Sequence, residues 1–148
     1  GQGIIFIILF RFRDVHCSWG NMTEYWQDLK LEGKDASGRL VAEARFAPDS
    51  LWFSGHFPGH PIVPGVALLY LVAEVLRRGE AGGERMIMKS IRRVRFRQPA
   101  YPGDSLTVII SPEEGGAEGT YLFRLLSEGE TVCSGSIGTR RVRGGNGC

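Results

Sequence analysis

From Val66 to Leu76 the chain reads Val-Ala-Leu-Leu-Tyr-Leu-Val-Ala-Glu-Val-Leu, and Glu74 is the one charged residue in it. A helix over this stretch has no polar face, so it has to be surrounded by its own protein. It is much shorter than the ~20 residues a membrane span needs. Pro64 suits the first helical position, where a missing N–H costs nothing. Arg77, Arg78 and Gly79 supply cations and a glycine for the last turn. The stretch therefore predicts a buried central helix over about 64–78, and the rest of the chain has to cover it.

The cover is legible as alternation. Leu40, Ala42, Ala44 and Phe46 share one side of the stretch from Arg39 to Phe46, opposite Arg39, Val41, Glu43 and Arg45. That is the period of a half-buried strand. The period of two returns after the helix. Arg85 to Gln98 predicts a long strand, closed by Pro99 and by Pro102-Gly103-Asp104. Ser105–Ser111, Thr120–Leu126 and Thr131–Arg140 predict three more strands, the last two joined by a turn at Glu128-Gly129-Glu130. Strands in succession with short turns make an antiparallel sheet. One strand, a buried helix and a run of strands is an α+β plan: a curved sheet wrapped around one helix. Thr23 to Leu29 is expected to form a short helix with Thr23 as its cap. Pro48 to Pro64 is expected to be loop.

A chain of 148 residues fits one domain. The expected domain covers residues 22–140, with 141–148 as a loose tail. Residues 1–21 hold a seven-residue apolar run, Ile4–Phe10, with neither the basic flank nor the cleavage site of a signal peptide. They are expected to be a non-native extension preceding Met22, or else a short extra strand.

The bulk properties exclude several functions. A net charge of +2 is too small to imply nucleic acid. Three scattered cysteines, Cys17, Cys133 and Cys148, argue for a reducing, cytoplasmic compartment and against a disulfide framework. None of the three histidines pairs with a cysteine at zinc spacing, so no metal site is expected. Cys133 is expected to be a small buried residue.

Ahead of the helix, Ser54 to Val66 places His56 among three prolines and three glycines. A stiff loop that fixes a titratable group at the mouth of an apolar helix suits acid–base chemistry on a greasy substrate.

Gly55-His56-Phe57-Pro58-Gly59-His60-Pro61-Ile62-Val63-Pro64-Gly65-Val66 resembles the active-site signature of the bacterial 3-hydroxyacyl-acyl-carrier-protein dehydratases of the hot-dog fold. Arg95-Phe96-Arg97-Gln98-Pro99-Ala100-Tyr101-Pro102-Gly103-Asp104 resembles the strand end and turn of the same family, and Val132-Cys133-Ser134-Gly135 fits its last strand. The likeness covers about Leu40 to Thr139. It implies a hot-dog fold, which matches the helix-in-sheet plan reached from periodicity. It also implies a lyase that needs no cofactor and acts on an acyl thioester carried by acyl carrier protein or coenzyme A. His56 takes the role of the base that removes the α-proton. Gly65 supplies a backbone N–H to the thioester oxygen, as a helix N-terminus is suited to do. Phe57, Pro58, Gly59 and Val66 then border the substrate, and Leu68, Leu69 and Val72 line the acyl chain. His60 reads as a loop residue.

The resemblance also implies a carboxylate fourteen residues after the histidine, and here that position is Tyr70. A phenol, with a pKa near ~10, is a weaker acid than a carboxyl group. Glu74 lies one turn further along the same helix face, roughly 5–6 Å away. The acid is expected to be Glu74 or Tyr70. Arg93, Arg95 and Arg97 share one strand face by their spacing. They read either as a solvated face or as a docking patch for an acidic carrier protein, with Arg95 and Arg97 among the substrate-binding residues.

The resemblance implies a homodimer or dimer of dimers, in which the histidine and carboxylate of one site come from different subunits. Two rival functions follow. The chain is a non-catalytic acyl-binding subunit completed by an acid-bearing paralogue, in a heterodimer. Or it is a hot-dog thioesterase using Glu74 to activate water.

Overall fold

The computed structural model describes residues 4–8, 26–46, 62–63, 65–80 and 85–142. Its elements are β1 (Ile4–Ile8), β2 (Trp26–Lys34), β3 (Leu40–Phe46), α1 (Gly65–Glu80), β4 (Arg85–Phe96), β5 (Leu106–Pro112), β6 (Thr120–Ser127) and β7 (Glu130–Val142). The strands form one sheet in the order β1-β4-β7-β6-β5-β3-β2, and every neighbouring pair is antiparallel.

The alternation read from the sequence sets the two faces. One row runs across the inner face: Ala42 opposite Val108, Val108 opposite Leu125, Leu125 opposite Cys133, and Cys133 opposite Phe96. The first four of these are buried, as are Leu40, Ala44 and Phe46 on the same side of β3. Against this face lies α1, with Ala67, Leu68, Leu71, Val72, Val75 and Leu76 all buried. The helix starts at Gly65 and runs on through Gly79 to Glu80, slightly past its expected end.

The outer face carries the complementary row: Val41 opposite Ile109, Ile109 opposite Arg124, Arg124 opposite Ser134, and Ser134 opposite Arg95. In β4 the register shifts between Arg92 and Arg95, and Arg93 sits there at φ 56°. This bulge adds a residue to the strand, so that Arg92 and Arg95, three apart, pair with Ser136 and Ser134 on one side of β7.

One expectation fails. Trp26 to Leu29 belongs to a strand, not a helix, and β2 pairs with β3 from Trp26↔Phe46 to Lys34↔Leu40. A local cap signal at Thr23 was outweighed by an unpaired β3 edge, which offers a whole ladder of backbone hydrogen bonds. The turn that joins the two strands is held by Asp35. Its carboxylate accepts from the Ser37 hydroxyl at 2.6 Å, the Arg39 N–H at 2.9 Å and the Arg39 Nε at 3.0 Å. The Ser37 hydroxyl, with these N–H donors, lowers the Asp35 pKa to about 2.

Candidate active site

The site is built around the N-terminal end of α1. Gly65 is the first residue of a sixteen-residue helix that carries no acidic residue in its first turn. Its end therefore presents N–H donors that have no partner within the helix, and the positive end of the helix dipole. The position is closely packed. A Cβ placed on Gly65 would lie 2.7 Å from the Phe96 ring, so only glycine fits under that ring. Phe96 itself is partly buried against the core. Just before the helix, the Val63 N–H donates to the Ala100 carbonyl at 2.8 Å.

The expected site residues fall into three groups. His56, Phe57, Pro58 and Gly59 lie outside the described residues, as does His60. Gly65, Val66, Leu69, Tyr70 and Glu74 all lie on α1. Leu69 is buried with Leu68 and Val72, Tyr70 is partly buried against the core, and Val66 is 39% exposed. Val66, Tyr70, Glu74 and Arg78 follow one another at i, i+4 spacing; Val66 and Arg78 at the two ends are exposed, Tyr70 is partly buried and Glu74 is fully buried.

Glu74 is fully buried, and both its oxygens are occupied. Oε1 accepts from Arg77 Nη2 at 2.6 Å and from Arg78 Nε at 2.7 Å, while Oε2 accepts from Arg77 Nε at 3.1 Å. The hydrogen bonds to Glu74 raise the Arg77 pKa further, against the opposing effect of burial. A carboxylate held this way is an acceptor at the helix C-terminal half. The i+3 and i+4 spacing of Arg77 and Arg78 was the sequence signal for it.

Arg95 and Arg97 lie on the opposite face of the sheet from α1. With Arg39, Arg93 and Arg124 they line a concavity of ≈ 570 Å³ whose lining also includes Ile109 and the exposed Leu122. Among the described residues, only Arg39 of these five is ion-paired, to Asp35 at 3.0 Å. Arg39 and Arg124 were not singled out from sequence. Arg124 stands at an outward position of its strand, and that alternation was its available signal. No helix among the described residues is long and apolar enough to cross a membrane.

Comparison with known proteins bears on this geometry. Residues 32–136 match the family model described as ApeI dehydratase, ApeI-like. The 3-hydroxyacyl-[acyl-carrier-protein] dehydratase FabZ of Roseiflexus castenholzii is 34% identical over 107 residues, covering 67% of this chain and 73% of the relative. The FabZ of Wolbachia pipientis is 36% identical over 98 residues, covering 63% of this chain and 62% of the relative. Among solved structures, the dehydratase heterocomplex ApeI:P from Xenorhabdus doucetiae matches with a TM-score of 0.63 and 28% identity, over 78% of this chain and 96% of that one. A hypothetical thioesterase with coenzyme A from Streptococcus pneumoniae matches at TM-score 0.61 and 14% identity, over 81% of this chain and 90% of that one, a likeness of fold alone. With its hot-dog architecture and a family match spanning most of its length, the chain belongs to the ApeI-like dehydratase family.

Proposed function

We propose that this protein removes water from a 3-hydroxyacyl thioester bound to acyl carrier protein, giving the trans-2-enoyl thioester for fatty acid or related lipid synthesis. His56 takes the C2 proton. Negative charge moves onto the thioester oxygen and is held by the Gly65 N–H at the start of α1. The C3–O bond then breaks, the C2–C3 double bond forms, and the hydroxyl leaves as water with a donated proton. The observation that carries this reading is the family match across residues 32–136, with its glycine helix start in place.

Two residues of α1 compete for the role of donor of that last proton. Glu74 has both oxygens committed to guanidinium groups, which supports a structural role for it. Tyr70 lies one turn nearer the helix start than Glu74, which supports it as the donor of this chain. A second reading is favoured by the exposure of Val66 at the helix start, one turn before the partly buried Tyr70. A partner subunit seated there would bring its own carboxyl, and the similar Xenorhabdus doucetiae protein is part of a dehydratase heterocomplex.

The arginine concavity suits an acidic carrier protein, since it combines five arginines with the apolar Ile109 and Leu122, and only Arg39 of the five is ion-paired among the described residues. The Arg97 end of it is the one that continues directly into Ala100 and so to Val63.

The test compares wild type, Tyr70→Phe, Tyr70→Glu and Glu74→Gln on a 3-hydroxyacyl thioester. Loss of turnover in Tyr70→Phe, with Glu74→Gln active, supports Tyr70 as donor. A wild-type homomer that is inactive until Tyr70→Glu is introduced, or until an acid-bearing paralogue is added, supports the heterodimer. Release of free thiol that depends on Glu74 would replace both with hydrolysis.

A further inference from the structure

Phe46 and Val63 flank residues 47–62, the segment that carries His56. Both flanks are tied to one short turn. The Gly103 N–H donates to the Phe46 carbonyl at 3.0 Å, and the Val63 N–H donates to the Ala100 carbonyl at 2.8 Å. The turn between these two attachment points is itself locked twice. The Asp104 N–H donates to the Tyr101 carbonyl at 3.0 Å, and the Tyr101 N–H donates back to Asp104 Oδ2 at 2.9 Å. Pro102 at the second position and Gly103 at φ 87° give it the sequence and backbone of a type II turn. The Phe96 ring, four residues before Ala100, then caps Gly65, two residues after Val63.

We propose that Ala100–Asp104 is a clasp that fixes both ends of the His56 segment, with Gly103 and Asp104 as positioning residues for the base. This rests on the reading of His56 as that base. Neither residue touches the substrate. Asp104 holds the turn, the turn holds Phe46 and Val63, and those two set where the intervening chain begins and ends. Fixing both ends beside the helix start limits where the chain that carries the base can leave and return relative to the oxyanion donor. A misplacement of about 1 Å in such a pair can cost about 10²-fold in rate.

Any damaged turn can lower activity by loosening the fold, and Gly129 controls for that effect. It has φ 82° against 87° for Gly103, and a Cβ at either position meets nothing within 4 Å. The two alanine substitutions thus impose the same kind of backbone strain, but Gly129 lies in the turn between β6 and β7. Gly103→Ala and Gly129→Ala should lower the melting temperature similarly. Only Gly103→Ala should lower kcat, by ten-fold or more, with KM little changed. Asp104→Ala should act like Gly103→Ala, and Asp104→Asn, which keeps an acceptor oxygen, should recover most of the rate.

A second readout does not need turnover: the His56 imidazole titration followed by NMR, with amide exchange at Val63. Both should change in Gly103→Ala and stay as in wild type in Gly129→Ala. Equal effects of the two glycine substitutions on kcat, or an unmoved His56 signal in Gly103→Ala, would overturn the clasp. Full activity in His56→Ala would instead overturn the role of the base, and the NMR comparison would still judge the clasp.

Discussion

Glu74 shows how much a single residue's role depends on its neighbours. In sequence it is a lone carboxylate in an apolar helix, the pattern of a tuned acid. In the structure Arg77 and Arg78 close over it while each keeps about a third of its side chain exposed. This geometry makes the two sides of the cluster unequal. Without the carboxylate, the arginines can turn to water. Without the arginines, a fully buried charge is stranded, which costs about 3–5 kcal/mol. Chemical denaturation should therefore find Arg77→Ala/Arg78→Ala clearly less stable than Glu74→Gln. The reverse order would mean that the arginines, not Glu74, are the residues in need of a partner. Cys133 offers a second check. Burial raises its pKa to about 12, from about 8.5 in an unfolded chain. The folded state thus holds this proton through the window in which the unfolded state loses it, and that contribution to stability falls as pH rises from about 8.5 to about 12. Iodoacetamide at neutral pH should leave Cys133 unmodified in the native protein and label it after unfolding, as read by peptide mass mapping.

The elements were legible to different degrees. The helix from Gly65 and the strands from Leu40, Leu106 and Thr120 follow directly from runs and alternation, because burial on one face leaves a periodic trace. Trp26–Leu29 did not, because its strand pairing is a tertiary choice made against β3. The clasp was invisible for a related reason. Its key bonds join backbone atoms of Phe46 to Gly103 and of Val63 to Ala100, and backbone bonds between distant segments leave no side-chain signature. The same holds for Phe96, whose ring dictates glycine at position 65. That contact predicts a coupled pair. Gly65→Ala overpacks the helix start and should cost about 1–3 kcal/mol. Adding Phe96→Leu, which removes the tip of the ring, should return part of that loss. A double variant no more stable than Gly65→Ala alone would show that the ring is not what excludes a side chain there.

At the scale of the whole molecule the sheet separates two chemistries. Its inner face and α1 bury the apolar groups, and its outer face carries a concavity lined by arginines together with Leu122 and Ile109. The basic spacing of Arg93, Arg95 and Arg97 was readable from the sequence. The addition of Arg39 and Arg124 from other strands was not, because it depends on the strand order. Reversing charge at Arg95 and Arg124 should raise KM for a carrier-bound substrate at low salt, with the difference shrinking as salt is added. A short thioester without a carrier should be turned over as before. An equal loss on both substrates would place these arginines in the support of the site rather than in docking.

The central claim is that His56 drives reversible loss of water from an acyl thioester. The reverse reaction tests it in one measurement: a 2-enoyl thioester is incubated with the protein in water enriched in heavy oxygen, and the products are weighed. The account predicts one heavy oxygen at C3 of an intact 3-hydroxyacyl thioester, formed by the wild type, alone or with its acid-bearing partner, and not by His56→Ala. Heavy oxygen found instead in a released carboxylic acid, or an undiminished signal from His56→Ala, would contradict it.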